Sequence, residues 1–288
     1  MGSPRRRKPK SKSPSVATPD GLTLPKLPTT LEEAILGGRC ILFVGSGLSR
    51  ESEAPAWRRL LEDIAHRFSP SQVPRVERYF SRNEPWGAAD LVCGSAPRPE
   101  LNTFVRDRLD YLQPAVSHRV IARTNWAASF TTNYDRLIED AYHTETLRAQ
   151  ALVPVYQFSK DYNIHESSKV HLFKLHGSID QIHVPANVLV LTTKDLTDTL
   201  RQRSAMLSQI PRLLLDYYWL FIGYGFTDGI LRQLLNEIKK NNRDTMPRES
   251  FAVLPSPTEE GIRPTNPDQA RAAFHRAGVS GATWDNFL

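Results

Sequence analysis

Four short segments of this sequence combine glycines with polar side chains suited to chemistry. They are residues 45–49 (GSGLS), 131–135 (TTNYD), 174–178 (KLHGS) and 223–228 (GYGFTD). Closely spaced glycines let backbone N–H groups approach a phosphate. A carboxamide or carboxylate can orient a water molecule or a sugar hydroxyl, and an imidazole can move a proton near neutral pH. These four segments are therefore the candidates for a ligand site.

The first segment has two interpretations. Gly45 and Gly47 allow a phosphate to approach the start of a helix, with Ser46 and Ser49 beside it. However, Arg50 stands where the dinucleotide-binding fingerprint has its third glycine. A tight turn between a strand and a helix explains the two glycines equally well. Both interpretations stay open for this segment alone.

The last segment is open in the same way. Gly223 and Gly225 let the chain pass close to an adenosine, or they serve an ordinary turn. Asp228 is placed either to contact the ligand or to cap a following helix. We include all three residues among the candidate cofactor contacts.

Asn133, Asp135 and His176 carry the most informative functional groups. Asp135 at the start of a predicted helix suits a helix cap as well as a ligand contact. A helix needs only one such cap, so the carboxamide of Asn133 is available to orient a sugar hydroxyl or a water. His176 ends an apolar run, which makes it a candidate acid/base group. The other seven histidines show no metal-ligand spacing.

These segments all follow apolar runs of strand length, and helical patterns separate the runs. Strands are predicted at residues 40–44, 127–131, 170–175, 188–192, 219–222 and 251–254. Helices are predicted at residues 30–37, 57–68, 135–142, 228–239 and 267–277, with further helical patterns over 73–124 and 194–216. Strands that are apolar throughout and alternate with helices indicate a doubly wound parallel sheet, a Rossmann-like α/β fold. The carboxyl ends of its strands would then share one edge, where ligands bind.

The stretch from about 57 to 125 is too long for one crossover helix. We predict a helical insertion module there, within one domain that spans residues 21–288. Residues 1–20 hold six of the cations and one acidic residue, so the rest of the chain carries only +1 of the +6 net charge. This basic segment lacks apolar periodicity, and we predict a disordered tail. Such a tail is suited to nucleic-acid contact or simply to solubility.

Composition excludes several classes of protein. The chain of 288 residues is 40% apolar and 24% charged, as in a globular protein, and no apolar run approaches the roughly 18 residues that cross a bilayer. No apolar stretch follows the N-terminal cations, so a secretory signal is not expected. Two cysteines cannot supply a disulfide framework or a four-cysteine zinc site. We expect a cytoplasmic protein without membrane contact.

In this order, the four segments resemble the sirtuin superfamily of NAD-consuming proteins. Residues 45–58 (GSGLSRESEAPAWR) resemble the sirtuin cofactor loop, with Pro55, Trp57 and Arg58 at its proline, aromatic and arginine positions. The TTNYD segment resembles the family's T-Q-N-x-D, with Thr132 replacing glutamine, and KLHG matches the segment that bears the catalytic histidine. The resemblance spans about residues 31–288.

Two departures indicate a particular branch of that superfamily. Sirtuin deacylases carry a four-cysteine zinc module after the histidine segment, whereas residues 178–218 contain no cysteine. Glu53 and Ala54 stand where the cofactor loop has its glycine. These features resemble the bacterial sirtuin-like effectors of anti-phage defence, which hydrolyse NAD+ and are often fused to a sensor domain. A sensor would here be a separate chain or a segment outside this sequence.

The resemblance implies an NAD+ hydrolase that releases nicotinamide and ADP-ribose, with NAD+ as substrate and no metal. Asn133 and His176 would be catalytic, and Trp57 would wall the nicotinamide pocket. The implied cofactor contacts are Gly45, Ser46, Gly47, Ser49, Trp57, Asp135, Gly223, Gly225 and Asp228. Implied partners are further copies of the chain and a separate sensor or ATPase chain.

Three alternatives remain open from the sequence. The first is a zinc-free protein deacylase, which would need an acyl-lysine groove. The second is an idle subunit that binds NAD+ or ADP-ribose and assembles with an ATPase or nucleic-acid sensor. The third is a nuclease-type activity, for which the sequence shows no cluster of carboxylates.

Overall fold

Strands and helices alternate along the chain in the computed structural model, which describes residues 27–156, 166–184, 188–202, 210–225 and 250–254, and the backbone of 16–17, 23–24 and 279–283. The strands are β1 Val16–Ala17, β2 Thr23–Leu24, β3 Cys40–Val44, β4 Ala128–Thr131, β5 Ala151–Val155, β6 Lys169–Lys174, β7 Tyr218–Ile222, β8 Ser250–Leu254 and β9 Val279–Thr283. The helices are α1 Thr29–Leu36, α2 Ser46–Ser49, α3 Trp57–Phe68, α4 Val73–Ser81, α5 Pro85–Cys93, α6 Arg98–Leu109, α7 Val116–Arg123, α8 Leu137–Thr144, α9 Thr193–Gln202 and α10 Ile210–Asp216.

Within the described residues, seven strands form one parallel sheet in the order β5–β6–β4–β3–β7–β8–β9. The chain runs from β3 towards β4 and β6 on one side, and then returns to β7, β8 and β9 on the other. The strand order therefore reverses at β3, and such a reversal opens a crevice at the carboxyl ends of the strands. The predicted Rossmann-like, doubly wound α/β fold is confirmed.

The central strand β3 is buried on both faces, as a parallel strand between helical layers must be. Successive side chains of a strand point to opposite faces. Phe43 accordingly joins a core with Phe130 and Trp219, whereas Leu42 joins a second core on the other side that contains Ile138. Two separate cores thus hold the middle of the sheet, whose carboxyl edge carries the candidate residues.

The helices α3–α6 build a third core of their own, whereas α7 packs into the core that contains Leu42. Leu61, Ile64 and Val92 are fully buried in the third core. Tyr134, which follows β4, and Leu189 belong to the same core. The helical insertion is therefore packed against the loops at the carboxyl edge of the sheet, where it can form one wall of a site.

Several sequence predictions need correction. Residues 188–192 are not a strand: they lie outside the sheet, and the Val190 N–H donates to the carbonyl of His176 at 2.9 Å. This run is apolar because Leu189, Val190 and Leu191 are all buried, not because it pairs with other strands. Strands β1, β2, β5 and β9 were not predicted, and β1 lies within the segment predicted as a disordered tail. In β5, Pro154 and the solvent-exposed outer residues hide the pattern, as is typical of an edge strand.

The predicted helices at 228–239 and 267–277 lie outside the described residues, as does most of the predicted tail at 1–20. Within the described part of the chain, no helix is both long and apolar enough to span a membrane.

Candidate functional site

A pocket of about 860 Å³, including its open mouth, lies at the carboxyl ends of β3, β4, β6 and β7. It is the crevice that the reversal of strand order creates. Eight of the residues predicted from sequence line it: Ser46, Ser49, Trp57, Asn133, Asp135, His176, Gly223 and Gly225. Gly45 and Gly47 are not among the lining residues, and Asp228 lies outside the described residues.

Three buried polar side chains form a hydrogen-bonded chain on the floor of this pocket. The Asn133 Nδ2 donates to Ser49 Oγ at 2.9 Å and to the Gly45 carbonyl at 3.3 Å. Ser49 Oγ in turn donates to Asp135 Oδ2 at 2.8 Å. Thr131 and Asn133 lie at the end of β4, where Thr131 Oγ1 accepts from the Asn133 backbone N–H at 3.0 Å. The ends of β3 and β4 are thus locked together.

The directions of these hydrogen bonds follow from elementary chemistry. Ser49 donates its one hydroxyl hydrogen to the carboxylate oxygen of Asp135. Ser49 Oγ is then an acceptor for Asn133, and both amide hydrogens of Asn133 are spent on Ser49 and Gly45. The remaining Asn133 Oδ1 is buried and has no hydrogen-bond partner among the described residues. It can only accept a hydrogen bond, so a donor must satisfy it.

Asp135 lies two residues before the helix α8. Its Oδ1 accepts at 3.2 Å from the N–H of Leu137, the first residue of that helix. The predicted helix start at Asp135 is therefore two residues early, and Asp135 is not the N-cap residue. Both oxygens of this carboxylate are engaged by the protein, one by Leu137 and one by Ser49. One side chain thus joins the start of α8 to the floor of the pocket.

His176 is buried just beyond the end of β6 and is surrounded by aromatic rings. Trp86 lies edge-on to it at 6.2 Å between ring centroids, and Tyr134 is 6.3 Å away. The Tyr134 hydroxyl donates to the Val190 carbonyl at 2.6 Å, which holds the ring in place. Gly177 follows with φ +87°, where an added Cβ would come within 2.6 Å of the Val188 carbonyl oxygen. The backbone beside His176 therefore requires glycine.

Aromatic side chains form the wall opposite the polar floor. Trp57 lies 6.4 Å from Trp86 and 6.2 Å from Tyr134 between ring centroids. Sequence reasoning identified Trp57 but missed Trp86, because a tryptophan in a predicted helical insertion carries no strand-end signal. Tyr134 could have been found, since it lies between Asn133 and Asp135. Flat apolar walls beside buried polar groups suit a planar aromatic ligand.

The glycines after β3 and β7 are explained by their contact with each other. The Gly45 N–H donates to the Ile222 carbonyl at 2.9 Å, and the Gly47 N–H to the Gly223 carbonyl at 2.8 Å. A Cβ on Gly223, which has φ +64°, would lie 2.3 Å from the Leu48 nitrogen. These two N–H groups already have backbone partners, so a phosphate contact through Gly45 and Gly47 stays a prediction.

Two positions of the cofactor-loop segment differ from what the sequence suggested. Arg58 Nε pairs with Glu62 at 2.9 Å on the helical insertion, and Arg58 also pairs with Glu77 at 3.7 Å. Its guanidinium is therefore engaged outside the pocket. Glu53 stands where the sirtuin loop has glycine, and it adopts φ +63°. The left-handed conformation that favours glycine is retained with a glutamate.

A buried ion pair lies beneath the floor of the pocket. Lys174 Nζ is 2.9 Å from Glu139 Oε1 and also donates to the backbone carbonyl of Asp135. Burial raises the pKa of Glu139, and Lys174 opposes that rise by stabilising the carboxylate. This ion pair thus lies directly under the hydrogen-bonded chain of Asn133, Ser49 and Asp135.

Comparison with known proteins places this geometry in a family. A NAD(+) hydrolase ThsA of Enterococcus faecium is 27% identical over 218 residues, which cover 72% of this chain and 41% of that protein. The Defense-associated sirtuin 2 of Bacillus subtilis is 26% identical over 231 residues, covering 80% of this chain and 22% of that protein. The chain thus spans less than half the length of these relatives.

A crystal structure of a Sir2 homologue in complex with NAD matches over 89% of each chain, with 14% identity and a TM-score of 0.42. The SIR2-like domain family matches residues 127–279, which is more than half of the chain. This match includes β4, β6 and β7 with Asn133, Asp135 and His176. The chain therefore belongs to the SIR2-like domain family, as the four sequence segments predicted.

Proposed function

We propose that this protein is an NAD+ hydrolase that cleaves the bond between nicotinamide and ribose. The observation that carries the proposal is the conjunction of three features in one pocket. They are an Asn133 Oδ1 without a partner among the described residues, the buried imidazole of His176 and an aromatic wall. The relatives named NAD(+) hydrolase support the same activity. Service as the effector of an anti-phage defence system is part of the proposal, and the name of the Bacillus subtilis relative supports it.

The reaction converts NAD+ and water into nicotinamide, ADP-ribose and a proton. Nicotinamide leaves as a neutral pyridine, so positive charge develops on the ribose and must be stabilised there. Asn133 Oδ1 accepts a hydrogen bond from the attacking water or a ribose hydroxyl and holds it in place. His176 acts as general base towards a ribose hydroxyl. Trp57 packs against the nicotinamide ring.

The test follows nicotinamide release from NAD+ by the protein in its active assembly. His176→Ala and Asn133→Ala should each lower turnover by about 10²–10⁴-fold, since each removes a positioned group. Both variants should keep their affinity for NAD+ within about tenfold, or ~1.4 kcal/mol. His143→Ala is the matched control, because this histidine is exposed on α8 away from the pocket lining. Parental turnover by the two site variants would disprove the proposed mechanism.

Two other activities are separated by further arms of the same experiment. A deacylase would need acetylated peptide to drive nicotinamide release, whereas we expect turnover without it and no bound zinc, since residues 178–218 contain no cysteine. An idle binding subunit would bind NAD+ and release no nicotinamide in any assembly. We further propose that the chain works in the cytoplasm as a homo-oligomer with a separate sensor or ATPase chain.

A further inference from the structure

Lys174 is a fully buried lysine at the end of β6. Its ammonium group donates to the backbone carbonyl of Asp135 and to the Glu139 carboxylate at 2.9 Å. Burying an ammonium costs several kcal/mol unless its partners are well placed. An apolar side chain of similar volume would often stabilise such a position as well or better. The charge therefore needs an explanation other than stability.

The location of the contact offers one. Lys174 lies two residues before His176, and Asp135 lies two residues after Asn133. Backbone hydrogen bonds already join the same two segments, from Leu175 N–H to the Thr131 carbonyl at 2.8 Å. The ammonium adds a side-chain tie between them, directly under the Asp135 turn.

We propose that Lys174 is a positioning residue, whose buried ammonium holds the Asp135 turn and thereby sets Asn133 against His176. It acts through the backbone that carries these two residues. Glu139 supplies the counter-charge that lets the ammonium stay buried. This inference rests on the proposed function only where NAD+ turnover is the quantity measured.

The proposal predicts that stability depends on the balance of the two buried charges, whereas turnover depends on Lys174. Lys174→Met removes the tie and leaves the Glu139 carboxylate buried alone, which should destabilise the fold. Lys174→Met combined with Glu139→Gln removes both charges while keeping volume, so stability should recover. Turnover should not recover, because the hydrogen bond to the Asp135 carbonyl is still missing.

Glu139→Gln is the matched control. It leaves the Lys174 amino group in place as a donor to Asp135, while the ion pair is lost. We expect lower stability in urea unfolding, but a kcat within about threefold of the parent. The two Lys174 variants should instead lose about 10–100-fold in kcat, with KM for NAD+ within about threefold, as expected from displaced reacting groups.

The decisive comparison is the order of the three variants. If kcat follows the presence of Lys174 and not the order of stabilities, the positioning role is supported. If kcat follows stability, or if the double variant turns over NAD+ at the parental rate, the inference is wrong.

A second readout does not depend on hydrolysis. The imidazole C–H resonances of His176, assigned with His176→Ala, should shift in the double variant, while those of exposed His143 should not. A parent that releases no nicotinamide would refute the proposed function, and this spectrum would still decide the role of Lys174. An unchanged His176 resonance would refute the positioning role.

Discussion

A carboxylate that only accepts hydrogen bonds sets the direction of every other hydrogen bond on the floor of the pocket. Asp135 takes the hydrogen of Ser49, Ser49 takes one from Asn133, and Asn133 is left with an acceptor. At the scale of single residues, the site is thus defined by the Asn133 Oδ1, which finds no hydrogen-bond partner within the described part of the chain. A buried acceptor without a hydrogen bond typically costs about 1–3 kcal/mol. A ligand hydroxyl or a water that donates to this oxygen removes that cost, which favours its binding.

His118 at the start of α7 gives a residue-scale prediction about pH. Its Nδ1 accepts from the Ala115 N–H at 3.2 Å, and its Nε2 has no hydrogen-bond partner among the described residues. Burial lowers the pKa of His118 from 6.5, although Asp135 and Glu51 oppose this. Below a pH of 6.5, His118 is protonated in the unfolded chain, whereas the buried side chain in the folded protein stays largely neutral. The free energy of unfolding therefore falls as the pH falls.

The measurement is thermal unfolding of the parent and His118→Gln at pH 7.5 and 5.5. Gln can accept from the Ala115 N–H in the same position of the helix and does not titrate. The variant should lose less stability than the parent between the two pH values. His143→Gln, at an exposed histidine, should behave like the parent. An equal loss in parent and His118→Gln would show that His118 is not the acid-sensitive group.

At the scale of elements, the junction between β3 and β7 is the feature on which the crevice depends. Gly223 with φ +64° brings the β7 chain against Gly47 and Leu48. The glycines here answer a steric requirement between two backbones. The turns that follow β3 and β7 can therefore lie directly against each other, because no side chain stands between their backbones.

Gly223→Ala is expected to destabilise the fold by at least about 3 kcal/mol in denaturant unfolding, since its Cβ would collide with backbone that cannot move alone. Gly38→Ala provides the control. Gly38 has a similar φ of +61°, but its Cβ would meet only the Asn125 side chain at 3.2 Å. This control should cost about 1–2 kcal/mol, the conformational part alone. Equal costs for the two variants would remove the case for a backbone collision.

The sequence was informative where the local pattern and the global fold agree. Strands β3, β4, β6, β7 and β8 were predicted from apolar runs that the sheet does bury, and their ends carry Asn133, Asp135 and His176. The strand prediction at 188–192 was wrong because a segment buried between a helical layer and the sheet is as apolar as a strand buried within the sheet. Trp86 was missed since its contact with His176 joins residues 90 positions apart, and no local pattern encodes that contact.

At the scale of the whole molecule, the positive charge is concentrated in the N-terminal tail. Residues 5–12 hold six cations, and the remainder beyond residue 20 is nearly neutral. Any attraction to nucleic acid should therefore belong to the tail and not to the domain that carries the pocket.

Deletion of residues 2–20 should leave NAD+ turnover unchanged and abolish DNA retention. With up to six phosphate contacts, log K of the intact chain should fall with log salt at a slope of about −5 or less steep. DNA binding by filter retention between 50 and 200 mM salt, on intact and deleted chains, makes the comparison. Retention that survives the deletion at moderate salt would locate the basic surface elsewhere.

The pocket is assembled from two stretches of chain under different constraints. Ser49, Asn133 and His176 belong to the edge of the sheet, where each is locked to a neighbouring strand or surrounded by core residues. Trp86 and Leu109 of the wall come from the helical insertion, and Leu109 is buried in the insertion's own core. The pocket is therefore complete only when the insertion is folded against the sheet. Local unfolding of the insertion would open the wall beside His176 while the hydrogen-bonded floor stays in place.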